Sequence, residues 1–267
     1  MSIWQFVIPL AVILVYFTVL YFVAEAKRNY GLVDIGWGAG FVIVAIVSAI
    51  LQLVFHGFLS VTAIAVLAVT TFWGLRLSWH ILKRNRGRSE DFRYVAMRER
   101  YAKRKHPKLA AYARIFLTQA FFMIVIGLVV VLGIGQTRLA SDFWHYALIG
   151  LGLLIWIFGF VFESVGDAQL ARFLKDPSNK GKIMDRGLWR YTRHPNYFGE
   201  ATMWVGVGVM ALSVAWGFLG LISPLTITWL LVFVSGIPLL EKAMMKRPEF
   251  VEYARKTSIF VPWFPKK

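Results

Sequence analysis

The run IWQFVIPLAVILVYFTVLYFV, residues 3–23, contains no charged side chain and decides which solvent this chain folds in. A helix of about 20 mainly apolar residues crosses the hydrocarbon core of a bilayer. The run has no basic stretch before it and no small-residue cleavage site after it, and it is longer than a signal-peptide core, so it reads as a retained span. Working outward, similar apolar runs recur between charged breaks near residues 33–55, 58–82, 115–135, 143–165, 199–214 and 221–240. The expectation is an all-α integral membrane protein of about seven transmembrane helices. Of the 267 residues, 58% are hydrophobic and 16% charged, which is not the balance of a soluble domain. No solenoid-type repeat or low-complexity tract divides the chain, so one membrane domain, residues 1–267, is the simplest organisation.

The net charge of +16 raises the question of nucleic acid, but the distribution of that charge answers it. With seven spans, residues 24–32, 83–114, 166–198 and 241–267 share one side and hold 28 of the 30 Lys and Arg. Only Arg138, in an opposite connection, and Arg76, inside a span, remain. Such asymmetry is that of cytoplasmic loops, which puts the amino terminus outside and the carboxyl terminus in the cytoplasm. Membrane lipids, not nucleic acid, are the implied macroscopic partner, and no obligate protein partner is evident. Cysteine is absent, which removes disulfides, thiolate metal sites and cysteine nucleophiles and leaves any redox chemistry to a cofactor. His56, His80, His106, His145 and His194 are scattered without ligand spacing, so no metal site is expected.

Charged side chains inside a span cost about 2.5–3.5 kcal/mol each on insertion scales and normally face a bundle interior or a wet cavity. Asp34, Arg76, Glu163 and Glu200 are such groups. Arg76 and His80, Glu163 and Asp167, and Asn196 and Glu200 are each four residues apart, and each pair therefore shares a helix face. Pairing among these charges as structural glue is one reading of each of them. A polar site reaching into the basic cytoplasmic loop is the other, and it accounts better for the set.

The most informative loop is DRGLWRYTRHPNYFGE, residues 185–200. Pro195 biases His194 away from helical angles and suits the first turn of a new helix. A helix amino terminus flanked by Arg190, Arg193 and His194 is suited to phosphate, and a pyrophosphate is a natural ligand. Asn196, Tyr197 and Glu200 supply the neutral and acidic partners that a nicotinamide carboxamide or a ribose needs.

RGLWRYTRHPNYFGE resembles the signature of the steroid 5-alpha-reductase C-terminal domain family and looks like the end of the sterol carbon-14 and delta-7 reductases. The resemblance runs from FESVGDAQLARFLKDP at Phe162 to the tail EYARKTSIFVPWFP and covers roughly the last 105 residues. The amino-terminal half, with NYGLVDIGWG and RLSWHILKRNRGRSEDFRY, looks like the bacterial branch of that family, which implies a bacterial inner membrane. The resemblance implies NADPH as cofactor, held from the cytoplasm by Asp167, Arg193, Asn196, Tyr197 and Glu200, with Arg172, Lys175, Arg190 and His194 as neighbours. Aligning the tails through Tyr253 and Pro262 puts Lys242 and Lys246 where the family has a cofactor-binding histidine and tyrosine. Residues 143–267 are then the cofactor-binding half, and residues 1–135 are the substrate-side helices with their loop 83–114.

The activity implied is hydride transfer to the beta carbon of an alkene conjugated to a carbonyl, in a steroid-like or other hydrophobic lipid substrate, with an acid stabilising the enolate oxygen. Animal members use a glutamate and a tyrosine that this chain lacks in register. Asp34 is the best replacement for the acid, with His80 and Tyr94 as candidate second donors. A salt bridge from Asp34 to Arg76 is the structural alternative. The RHPxYxG core and the tail are also similar to S-adenosylmethionine-dependent methyltransferases of the isoprenylcysteine carboxyl or phospholipid type, the main alternative activity. A lipid-binding or transport protein would use the same buried charges as a substrate pathway, although no inverted repeat is evident.

Overall fold

A backbone immersed in hydrocarbon must satisfy its own hydrogen bonds, and the helix does this within one segment. The computed structural model describes residues 1–135 and 142–266 and contains helices but no strand among them, with Thr192 and Ser258 forming one isolated parallel bridge. Arg138 lies outside the described residues. In chain order the helices are α1 (Trp4–Ala26), α2 (Leu32–His56), α3 (Val61–Asn85), α4 (Phe92–Ala102), α5 (Pro107–Ile134), α6 (Phe143–Lys175), α7 (Pro195–Ala211), α8 (Gly217–Met244) and α9 (Pro248–Lys256). Helix α5 contains a π turn at Tyr112–Leu117, and α8 contains another at Leu230–Val234.

Six of these helices, α1, α2, α3, α5, α6 and α8, are long and apolar enough to cross a membrane. The expected span at residues 199–214 is α7, whose 17 residues rise about 25 Å against a hydrocarbon core of about 30 Å. Helix α7 does begin at Pro195. The 33 residues of α6 rise about 50 Å, so roughly two fifths of its length exceeds the core thickness.

By its contacts the chain forms two compact units, one of residues 1–149 with 210–222 and one of residues 150–209 with 223–267. In the first unit Phe17, Phe41, Phe116, Met123 and Ile126 are fully enclosed, while Val15, Val19, Phe22, Ile50 and Val54 face outward as lipid-facing side chains do. Small residues set the closest helix approach: a Cβ on Gly74 of α3 would sit 2.6 Å from the Gly38 carbonyl of α2, and one on Gly38 would strike the Gly74 carbonyl. Gly57 ends α2 at φ 76°, and the Ser60 hydroxyl caps α3 by accepting from the Ala63 amide at 3.1 Å. Buried amides are satisfied internally, with Gln5 Nε2 donating to Gln52 Oε1 at 2.8 Å.

The second unit uses the same device between α6 and α7. A Cβ on Gly159 would lie 2.6 Å from the Gly199 carbonyl, and one on Gly206 would lie 2.6 Å from the Gly152 carbonyl. Gly199 thereby brings α7 against the backbone at Glu163, and Gly166 lets Pro195 approach α6. The second unit is completed by the loop before α7 and by the tail beyond α9.

Candidate functional site

In the first unit the chemistry gathers where α2 begins. Asp34 lies in the first turn of α2, its amide bonded to the Gly31 carbonyl at 3.2 Å. Asp91 caps α4, accepting from the Arg93 amide at 2.9 Å, and so fixes where the next two side chains point. Arg93 then donates to Asp91 through Nε at 3.0 Å and to Asp34 Oδ2 at 3.0 Å, bridging two carboxylates. The Tyr94 hydroxyl, on a ring buried to 5% exposure, donates to Asp34 Oδ1 at 2.5 Å.

A second set of bonds holds α4 in place. Glu90 accepts the Tyr30 amide at 2.5 Å and Arg98 NH2 at 2.9 Å, and the Arg98 guanidinium stacks 4.0 Å from the Tyr30 ring centre. Burial first, then the Asp34 carboxylate, push the Tyr94 hydroxyl well above the usual phenol range, so Tyr94 keeps its proton at any physiological pH. Burial works against ionisation of Asp91, but the hydrogen bonds and charge of Arg93 prevail and hold its carboxyl below the usual range. The arrangement can present a proton donor, backed by a carboxylate and a cation, to an oxygen.

Arg93 is thus a cation that meets Asp34. Arg76 and His80 share one face of α3, both half-buried, and Ser78 between them donates to the Ile35 carbonyl at 2.8 Å, next to Asp34. Tyr94 is singled out by the sequence, whereas its neighbours in the cluster, Arg93 and Asp91, are not. A tyrosine flanked by an arginine and an acid at a helix start was the available signal.

The second unit holds the loop Gly187–His194. Gly187 takes φ 59°, and a Cβ there would meet the Gln169 side chain at 2.5 Å. Gln169 accepts the Leu188 amide at 2.9 Å, and the buried Trp189 indole donates to the Gly166 carbonyl at 3.0 Å. Arg193 is buried and forks onto Glu241, Nε to Oε1 at 2.7 Å and NH2 to Oε2 at 3.0 Å. Its NH1 donates to the carbonyls of Ala254 at 2.9 Å and Thr257 at 2.7 Å. His194 Nε2 meets Glu241 Oε1 at 2.9 Å, and its ring stacks on Tyr197 at 5.5 Å.

Glu241 is the centre of this cluster and was not anticipated. It is an acid in an apolar run, LLEKAM, and the reasoning that flags Asp34 and Glu163 applies to it equally. Of the residues expected to hold a cofactor, Arg172, Lys175, Arg190, Lys242 and Lys246 are exposed, Asp167, Asn196 and Tyr197 are half-buried, and Glu200 is buried. Asn196 and Tyr197 lie in the first turn of the 17-residue α7, which Arg190 precedes in the chain. Among the described residues, no three His, Asp or Glu gather as a metal site.

Fold and sites together define a multi-pass helical membrane protein with polar clusters at helix ends. The chain belongs to the family described as "Protein of unknown function (DUF1295)", whose profile matches residues 20–257 and which is steroid 5-alpha-reductase-like. It is 35% identical over 78 residues to steroid 5-alpha-reductase DET2 of Arabidopsis thaliana, 29% of each chain. It is 26% identical over 223 residues to an uncharacterized protein of Schizosaccharomyces pombe, covering 72% of this chain and 61% of that one. The chain therefore matches less than two thirds of the length of either relative. No solved structure matches it.

Proposed function

We propose that the protein is a membrane-embedded reductase that binds NADPH from the cytoplasm and reduces the carbon-carbon double bond of an enone in a steroid-like or other lipid substrate. The observation that carries the reading is the Tyr94–Asp34–Arg93 cluster: a buried phenol that keeps its proton, oriented by a carboxylate that a guanidinium neutralises. The Tyr94 hydroxyl is the donor to the substrate carbonyl oxygen. Asp34 holds that hydroxyl, and Arg93 pairs with Asp34 at 3.0 Å. His80 is a further candidate donor on α3.

Bound NADPH supplies the hydride. Arg172, Lys175, Arg190, Lys242 and Lys246 face its phosphates, and Asp167, Asn196, Tyr197 and Glu200 its ribose and carboxamide. Arg193 and His194 act by fixing the loop that carries these groups, because Glu241 and the tail carbonyls already engage the Arg193 guanidinium. The cytoplasmic face follows from the concentration of Lys and Arg in the connections on that side.

The test is ligand-dependent melting of the purified protein with NADPH, NADH and S-adenosylmethionine, followed by NADPH oxidation with a panel of lipid enones. Stabilisation by NADPH and substrate-dependent oxidation are expected. Stabilisation by S-adenosylmethionine alone would replace the reductase with a methyltransferase.

A further inference from the structure

The tail after α9 carries an exposed apolar row that none of the chemistry above uses. Ile259, Val261, Trp263 and Phe264 are 43%, 57%, 71% and 76% exposed, although they lie outside every membrane-spanning helix. Their outward orientation is built in. The Trp263 amide donates to the Tyr191 carbonyl at 2.9 Å, the Lys266 amide to the Lys256 carbonyl at 2.9 Å, and the Thr192 hydroxyl to the Phe260 carbonyl at 2.8 Å. Strapped to residues 191–193 through bends at residues 259–261, the tail turns Phe260 in against Phe198 at 5.8 Å and leaves Ile259, Val261, Trp263 and Phe264 exposed.

An exposed contiguous apolar patch marks an interaction surface. We propose that this row is an interfacial anchor that lies in the anionic headgroup layer of the protein's own membrane and holds the 191–194 loop at that surface. Two observations select lipid as the occupant. The tail follows a span closely in the chain, α9 starting four residues after α8 finishes at Met244, so a short amphipathic helix alone separates the row from a membrane-spanning segment. Exposed cations border it, Arg255 and Lys256 on the last turn of α9, Lys266 beyond the row and Arg190 before Tyr191, in the charge pattern that attracts acidic lipids. A tryptophan at the edge of such a patch is the usual residue at the water–lipid boundary.

The absence of native cysteine makes the test direct. Trp263→Cys and, as an exposed loop control, Lys180→Cys are each labelled with a nitroxide in the full-length protein. The protein is reconstituted in phosphatidylcholine vesicles with and without phosphatidylglycerol. At 263 the label should collide more with oxygen than with a water-soluble nickel chelate, and more so with phosphatidylglycerol present, while the control shows the reverse. The unlabelled wild-type chain gives an independent reading: trypsin should cleave after Arg255 and Lys256 several-fold more slowly in anionic vesicles than in neutral ones. Equal nickel access at 263 and 180 would overturn the anchor. Low collision with both probes would assign the row to a protein contact and overturn it as well. An oxygen preference and cleavage rate indifferent to phosphatidylglycerol would overturn the anionic requirement.

Discussion

The two units each contain a carboxylate, a guanidinium and a ring, and the clusters differ in what is left over. In the second unit Glu241 and Arg193 are 10% and 8% exposed at the side chain, and Arg193 commits four of its five N–H groups to Glu241 and two tail carbonyls. In the first unit Asp34 and Arg93 are 23% and 28% exposed, and the third member is a phenol with a proton to give. A charge cluster whose acceptors and donors all meet one another is a rivet. One that remains partly open and ends in a donor is suited to chemistry.

The largest effect that would break this contrast lies in the rivet. Glu241→Ala leaves Arg193, which no other carboxylate among the described residues meets, as a buried and unpaired cation, and should lower stability by about 3–5 kcal/mol. Melting temperature and expression should both fall, and the tail should become sensitive to protease. A variant that melts like the wild type would show that Arg193 is as well satisfied without Glu241 and would return it to the set of candidate phosphate ligands.

Next is Asp34→Asn, where the expectation reverses. Arg93 keeps Asp91, to which it donates through both Nε and NH2, so no stranded cation results and stability should change by about 1 kcal/mol or less. In the reductase reading the catalytic step should slow by about 1.5–3 kcal/mol of barrier, the worth of the charged hydrogen bond that orients Tyr94, with NADPH affinity unchanged. Melting temperature, cofactor affinity and single-turnover rate on the one variant separate the cases: strong destabilisation with normal turnover in the folded fraction would make Asp34 a second rivet.

Tyr94→Phe removes the donor and leaves the carboxylate. The expected loss is about 1.5–3 kcal/mol in the reduction step, the worth of a hydrogen bond to a charged group, read as a fall in turnover at constant NADPH affinity. Full turnover would move the donor role to His80.

The sequence already carried much of this, and what it hid has physical causes. Spans are legible because an apolar run of sufficient length has few other uses, and Asp34 is legible because a charge in such a run is anomalous. Its partner Arg93 is 59 positions away in a loop crowded with basic residues, where nothing local distinguishes one arginine from the next. Helix α7 matches the apolar run at 199–214, and its start at Pro195 is legible because proline suits a first helical turn. Arg193 looked like a phosphate ligand because its motif position was visible, whereas the tail carbonyls that occupy it are tertiary and lie more than 60 residues downstream.

The smallest effect sharpens the contrast by titration. Arg93 depresses the Asp91 carboxyl, so the folded form binds its proton less readily than the unfolded chain, whose aspartate titrates near pH 4. A depressed folded value contributes stability that is present above the unfolded pKa and disappears as pH falls through the folded one. Between pH 5 and 8 Asp91 therefore adds a constant increment, and the increment vanishes only below about pH 4. Asp91→Asn is the clean probe, because asparagine still caps α4 and only the charge is lost. For a half-exposed pair the penalty at pH 7 should be about 0.5–1 kcal/mol, seen as a slightly lower melting temperature that converges on the wild type below about pH 4. An Asp91→Asn variant with no penalty at pH 7 would mean that Asp91 acts through its cap alone, and that its charge does not matter to Arg93.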